Sequence, residues 1–250
     1  MVVLPAFLER ISWDQIITPA MTRFRKRRLA SLVAAYPDLP SYDVLDVGGR
    51  PAIWNLLKEH YGVVPKSLTL LNVAKDVEAI DADAEGVCSS GQSDGQEDGQ
   101  VSYRLVVGDG RRLPFPDKSF DLAFSNSVIE HVGSFVDMEN FAAECDRVAK
   151  RIYIQTPNHW FPIEPHLVCA FIHWLPRSLY RKVSFLSVNY ALFAWRSASL
   201  KRIFYEEFDS IRLLKRSQLR ALFPNRRIGG EKVLGLTKSF IVTDAATDAA

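Results

Sequence analysis

The sequence predicts an α/β fold: a Rossmann-like, doubly wound, mainly parallel seven-stranded sheet with a C-terminal antiparallel hairpin and a helical, aromatic cap insertion after strand five. Three observations carry this expectation. Short apolar runs of strand length alternate with stretches of helical periodicity between residues 42 and 157, the pattern of strands buried on both faces of a parallel sheet. Two further strand-like runs around a glycine turn close the chain. Between these regions lies a segment too aromatic for a solvated loop and too interrupted for a membrane span.

Leu29, Leu32, Val33 and Tyr36 recur at helical spacing behind Arg23, Arg25, Lys26, Arg27 and Arg28, so residues 1–40 read as a helical lead-in with the basic cluster as its solvated face. Residues 42–47 form a first strand, ended by Gly48-Gly49 and followed by a helix over residues 52–59. Residues 67–71, 103–107, 120–124 and 151–154 supply strands two to five. Met138, Phe141, Ala142, Cys145, Val148 and Ala149 lie at i, i+3, i+4, i+7, i+10 and i+11, one buried helix face between strands four and five. Residues 81–100 hold six acids and no Lys or Arg among Gly, Ser and Gln, and are expected to be a disordered insert. A short helix over residues 217–223, stopped by Pro224, precedes a hairpin of residues 227–233 and 236–242. The expected organisation is a single domain with a core over 42–157, a cap over 158–210, and a C-terminal helix and hairpin over 211–243.

Composition excludes several classes. With 48% hydrophobic and 24% charged residues and a formal net charge of +2, the chain has ordinary globular make-up and no overall field that draws it to nucleic acid. Cys88, Cys145 and Cys169 stand far apart without a Cys-x-x-Cys pair, which opposes a disulfide framework and a zinc site and suits a reducing cytoplasm. Glu9 and Arg10 cut the N-terminal apolar run, and the run 167–175 contains His173 and falls short of the roughly 20 residues of a span. A soluble protein, or at most one attached at a membrane surface, is expected. His159, Glu164, His166 and His173 match no metal-ligand spacing, so no metal is expected.

Three stretches carry chemistry. Val44-Leu45-Asp46-Val47-Gly48-Gly49 sets a carboxylate at a strand tip before a turn whose missing Cβ atoms admit a ligand to the backbone. Such turns also serve dinucleotide enzymes, phosphate binders and plain tight turns. The second stretch runs Gly108-Asp109-Gly110-Arg111-Arg112-Leu113-Pro114-Phe115-Pro116-Asp117-Lys118-Ser119-Phe120-Asp121, and the third is Ser125-Asn126-Ser127-Val128-Ile129-Glu130-His131-Val132. In these motifs, and in Gln155-Thr156-Pro157-Asn158 beyond them, the sequence resembles the class I S-adenosylmethionine-dependent methyltransferases whose adenine loop reads Asp-Gly, then Leu-Pro-Phe, then an acidic turn into Phe-Asp.

The resemblance covers residues 44–158 and implies S-adenosylmethionine as cofactor. It implies that Asp46, Gly48 and Gly49 line the methionine end, that Asp109 accepts from the adenine amino group, that Gly110 offers backbone to the ring, and that Asn126 joins the cofactor site. Carboxylates suit an ammonium or a sulfonium, whereas a phosphate calls for donors and positive charge; Arg50 runs against that distinction. Two positions depart from the family pattern. Arg50 and Ala52 stand in place of its later glycines, and Asn72 replaces the strand-two carboxylate that grips the ribose hydroxyls. An amide still accepts from one hydroxyl and donates to another.

Methyl transfer at a sulfonium needs mainly alignment, and a base only where the acceptor loses a proton. His131, after strand four, and His166, after strand five, are the candidate bases, with His159 nearby; each also reads as a histidine that satisfies loop backbone. Trp160, Phe171, Trp174, Tyr180 and Phe185, interleaved with Arg177, Arg181 and Lys182, suggest a cap over an acceptor site. The wider resemblance, to methyltransferases linked with cell-surface polysaccharide synthesis, suits a small-molecule, saccharide or lipid-linked acceptor and a peripheral membrane contact. Two other classes compete: a non-catalytic S-adenosylmethionine-binding module, and a dinucleotide-dependent oxidoreductase. The latter requires a full Gly-x-Gly-x-x-Gly after strand one and an acid at the end of strand two, and the sequence has neither.

Overall fold

The computed structural model describes residues 14–74, 76–77, 100–164, 169–186, 201–202, 205–206 and 209–244. Strands β1 (Asp43–Val47), β2 (Ser67–Asn72), β3 (Arg104–Val107), β4 (Phe120–Asn126), β5 (Ala149–Pro157), β8 (Arg227–Val233) and β9 (Leu236–Thr243) make one seven-stranded sheet in the order β3-β2-β1-β4-β5-β9-β8. Strands β1 to β5 are parallel in that sheet; β9 runs antiparallel to β5, and β8 to β9. The connections reverse direction between β1 and β4. In an open parallel sheet a crevice forms there, beyond the carboxyl ends of the strands. A separate small hairpin pairs β6 (Ile163–Glu164) with β7 (Cys169–Ala170).

Helices cover both faces of the sheet. On one side α3 (Phe135–Val148), started by the reciprocal Ser134 and Asp137 cap, buries Met138, Phe141, Ala142, Cys145 and Val148 against Leu45, Ala123, Ile152 and Ile154. Leu219 and Leu222 of α5 (Arg216–Leu222) join that core. On the other side Leu29, Leu32 and Tyr36, on and just past α1 (Asp14–Ala35), pack with Trp54 and Leu57 of α2 (Pro51–Tyr61) against Val44, Leu70, Leu122, Phe124 and Tyr153. Phe124 stacks on Tyr153 at 5.7 Å and takes the Trp54 ring edge-on at 5.1 Å. The Tyr36 hydroxyl donates to the Ile152 carbonyl at 2.7 Å, tying the end of the lead-in to β5.

Several boundaries and one assignment differ from expectation. The fifth strand extends over Ala149–Pro157, because Gln155 and Thr156, polar and excluded from an apolar run, pair in register with β4 and β9. β4 likewise runs on through Ser125 and Asn126. Helix α3 begins at Phe135, where its cap sits, rather than at the first deeply buried residue. The basic cluster is not wholly solvated: Arg28 is 8% exposed. It lies four residues before Leu32 and thus falls on the apolar stripe.

The expected disordered insert, save Gln100, lies outside the described residues, and so does His166. The described part of the cap contains the β6–β7 hairpin, 3-10 turns at Ile172–Trp174 and Ser184–Leu186, and α4 (Arg177–Val183). These gather around Ile172 and Tyr180. Among the described residues no helix is long and apolar enough to cross a membrane.

Candidate functional site

The turn after β1 is built around an enclosed carboxylate. Gly48 adopts φ +77°, a left-handed conformation that glycine takes without steric cost, and a Cβ there would lie 2.6 Å from a Val128 methyl. At Gly49 a Cβ would fall on the carboxylate of Asp46. Asp46 is fully buried: Oδ2 accepts from Trp54 Nε1 at 2.8 Å, and Oδ1 has no hydrogen-bond partner among the described residues. Burial pushes its pKa up to about 7, opposed by the Trp54 bond. The carboxylate thus faces inward, locking α2 to the glycine turn.

Asn72 completes this lock. It is 6% exposed, and its Nδ2 donates to the Gly49 carbonyl at 2.9 Å. A carboxylate has no proton for that carbonyl, so an amide suits this turn where an acid would repel it. Beside it, Val73 after β2 and Val107 at the end of β3 are exposed, 42% and 56%. Gly108 N–H bonds the Asn72 carbonyl at 2.8 Å, so the two valines flank one spot at the sheet edge.

Asp109 follows directly, with its side chain 45% exposed. It accepts from the Arg111 backbone N–H at 2.9 Å and from the Arg111 guanidinium at 2.6–3.0 Å. Arg111 holds the Asp109 carboxyl below its ordinary range and also reaches Asp137 at 3.0 Å. Gly110 is a packing requirement: a Cβ would lie 2.9 Å from the Phe141 ring and from Val47. The rest of the loop hangs on α3, with Leu113 N–H on Glu144 at 2.7 Å and Arg147 on the Leu113 and Phe115 carbonyls.

At the tip of β4, Asn126 Oδ1 accepts from Arg28, whose guanidinium also grips Glu231 of β8 through two bonds of 2.9 Å. The N-terminal helix therefore reaches the residue expected in the cofactor site. His131 is exposed at the end of the 3-10 turn Ile129–His131. Its neighbour Glu130 is fully buried and accepts from Thr156 Oγ1 at 2.9 Å, while its carbonyl accepts from Arg212 N–H at 2.8 Å. Thus Asp46, Gly48, Gly49, Asn72, Asp109 and Gly110 converge at the carboxyl ends of β1 to β3, whereas Asn126 and His131 stand across the crevice after β4. Sequence reasoning missed Trp54, Arg28 and Arg111 as partners of these groups. Only Arg28 had a signal, its place on the apolar stripe of α1.

Comparison with known proteins agrees with this fold. The methyltransferase domain family model matches residues 61–152. No curated protein matches the chain. A Pyrococcus horikoshii protein superposes with a TM-score of 0.54 at 17% identity, over 95% of this chain and 97% of that one. The magnesium protoporphyrin IX methyltransferase of Synechocystis PCC 6803, with bound SAH, gives 0.53 at 14% identity over 94% and 91%. A SAM-dependent methyltransferase from Aquifex aeolicus gives 0.51 at 12% identity over 97% and 98%. At such identities these structures establish the fold. Residues 61–152 thus match the methyltransferase domain family, and the whole chain has the fold of the methyltransferases on which it superposes.

Proposed function

We propose that the protein transfers the methyl group of S-adenosylmethionine to a small-molecule, saccharide or lipid-linked acceptor. The observation that carries this reading is the grouping at the sheet edge: a side-chain-free turn at Gly48-Gly49, two exposed valines, and the half-exposed Asp109 carboxylate. Val73 and Val107 offer an apolar seat for a flat aromatic ring, and Asp109 accepts from an exocyclic amine at its edge. Asp109 already receives Arg111 on both oxygens, so Arg111 yields part of its grip when the ring docks. Asn72 retains its Oδ1 for a sugar hydroxyl while its Nδ2 holds the turn. Asp46 keeps the turn in place from beneath. The bound cofactor supplies a methyl group activated by its own sulfonium charge. The chain's part is to orient the donor, admit the acceptor across the β1–β4 crevice and exclude water.

The test is to incubate the protein with S-adenosylmethionine and a panel of glycans, lipid-linked sugars, small metabolites and proteins, and to detect S-adenosylhomocysteine together with a methylated product by mass spectrometry. The reading predicts product with a member of the first three groups and an Asp109→Ala variant whose cofactor affinity falls by about 1–3 kcal/mol. Product from proteins alone contradicts the acceptor assignment. Unchanged cofactor affinity in Asp109→Ala contradicts the site.

A further inference from the structure

Beyond the carboxyl end of β5 lies a cavity of about 230 Å³ lined by His159, Glu164, His173, Tyr180, Asp209 and Arg212, with Leu175, Ile211 and Leu213 as its apolar wall. It adjoins the loops after both β4 and β5, because Arg212 N–H bonds the Glu130 carbonyl and His159 follows the last residues of β5. Glu164 is fully buried, and Tyr180 donates to Asp209 at 2.8 Å. The backbone of His159 is fixed at both ends. Its N–H bonds the Leu214 carbonyl at 3.1 Å, and its own carbonyl accepts from Trp174 Nε1 at 2.8 Å and pairs with His173 Nε2 at 2.9 Å. Its imidazole, by contrast, makes no hydrogen bond among the described residues. A loop histidine kept only to satisfy backbone would use its ring for that task.

We infer that this cavity holds the methyl acceptor, that it takes a neutral, hydroxyl-bearing ring of single-sugar size, and that the His159 imidazole accepts a hydrogen bond from one of its hydroxyls. The inference rests on the methyltransferase reading and names the acceptor side of that site. Size limits the ligand: the volume lies below the roughly 300–1,000 Å³ of pockets for larger molecules. The lining decides its chemistry. Among the described residues, Glu164, Asp209, His159 and His173 bring acceptors to the lining, and Arg212 and the Tyr180 hydroxyl bring donors. An ammonium finds acceptors in Glu164 and Asp209 but opposes Arg212, and an ionised phosphate meets Arg212 but opposes both carboxylates, so neither matches the whole lining. A hydroxyl both donates and accepts and matches the mixed lining. Burial, with His173 and Lys215 adding to it, holds the His159 pKa below its ordinary value, so the ring is a neutral acceptor at pH 7. Next to the cavity the Trp160 and Trp174 rings lie 58% and 41% exposed, packed on His159 at 4.8 Å and on His173 at 5.4 Å. They offer apolar faces for whatever the ring is attached to.

The experiment is a nuclear magnetic resonance titration of the full chain saturated with S-adenosylhomocysteine, following the imidazole signals. The signal of His159 is assigned by its loss in His159→Gln. The probes are the methyl glycosides of a hexose, a deoxyhexose, a pentose and an N-acetylhexosamine, with ethylammonium and inorganic phosphate for comparison. At least one glycoside should move the His159 signal saturably at millimolar concentration, and neither ion should. Tyr180→Phe, which removes the hydroxyl that donates to Asp209, and His159→Gln should weaken the affinity for that glycoside at least tenfold and leave S-adenosylhomocysteine affinity within twofold. A response to ethylammonium or phosphate alone overturns the inference, as does silence toward every glycoside in protein that binds S-adenosylhomocysteine. Failure of S-adenosylhomocysteine itself to bind overturns the underlying reading instead.

Discussion

Asp46 and Gly110 show how single residues shape the site through packing and burial. Asp46 retains its proton in the folded chain up to about pH 7, whereas in the unfolded chain it loses it near the ordinary value of 3.8. Between those values the native state binds the extra proton, so this group's contribution to stability falls as pH rises and levels off above about 7. Asp46→Asn keeps an acceptor for Trp54 and removes the ionisation. Urea midpoints measured from pH 5 to 8 should show the wild type losing ground to the variant as pH rises; parallel curves would show that burial does not govern this carboxyl. Gly110→Ala should lower stability by about 1–3 kcal/mol, the usual cost of overfilling a packed core, read as a fall of several degrees in melting temperature. An unchanged melting temperature would mean that Phe141 gives way. The motif made both positions visible in the sequence, but not their roles. A strand-tip carboxylate reads as a ligand contact, and only the fold reveals that Trp54 and Gly49 enclose it.

Among the elements, α1 is the one whose part changes most between sequence and structure. Its stripe of Leu29, Leu32 and Tyr36 is plain from spacing, and the sequence also lays out the alternation of strands and helices and the terminal hairpin. Strand ends were less legible, because Gln155, Thr156 and Asn126 are polar residues whose strand character comes from neighbours across the sheet. Nor does local spacing reveal that Arg28 meets Glu231, 203 residues away. With side chains 9% and 14% exposed, this pair is nearly dry. Removing one partner from such a pair costs about 3–5 kcal/mol because the other charge stays buried, whereas replacing both with apolar residues is often close to neutral. Arg28→Ala should therefore be strongly destabilised in urea, and Arg28→Met with Glu231→Leu should regain most of the loss. Equal stability of Arg28→Ala and wild type would show that α1 is not anchored through this pair.

At the scale of the whole molecule, the strand order places the first crossover reversal between β1 and β4, and every residue of the proposed cofactor site follows from that. The turn after β1 and the tips of β2 and β3 lie on one side of the crevice, and the segments after β4 and β5 lie on the other. The cofactor half was legible because it is local: each motif sits at the end of its own strand. The acceptor half was not, since its cavity draws on His159, Tyr180 and Arg212 from three separate stretches of chain that only the fold assembles. The central claim is that this edge binds S-adenosylmethionine. Calorimetric titration of the purified protein with S-adenosylmethionine, S-adenosylhomocysteine and NAD tests it most directly. Saturable heats with the first two, weakened by Asp109→Ala, and none with NAD are the predicted result; no heat from either methionine derivative at millimolar concentration, or binding of NAD in their place, would contradict it.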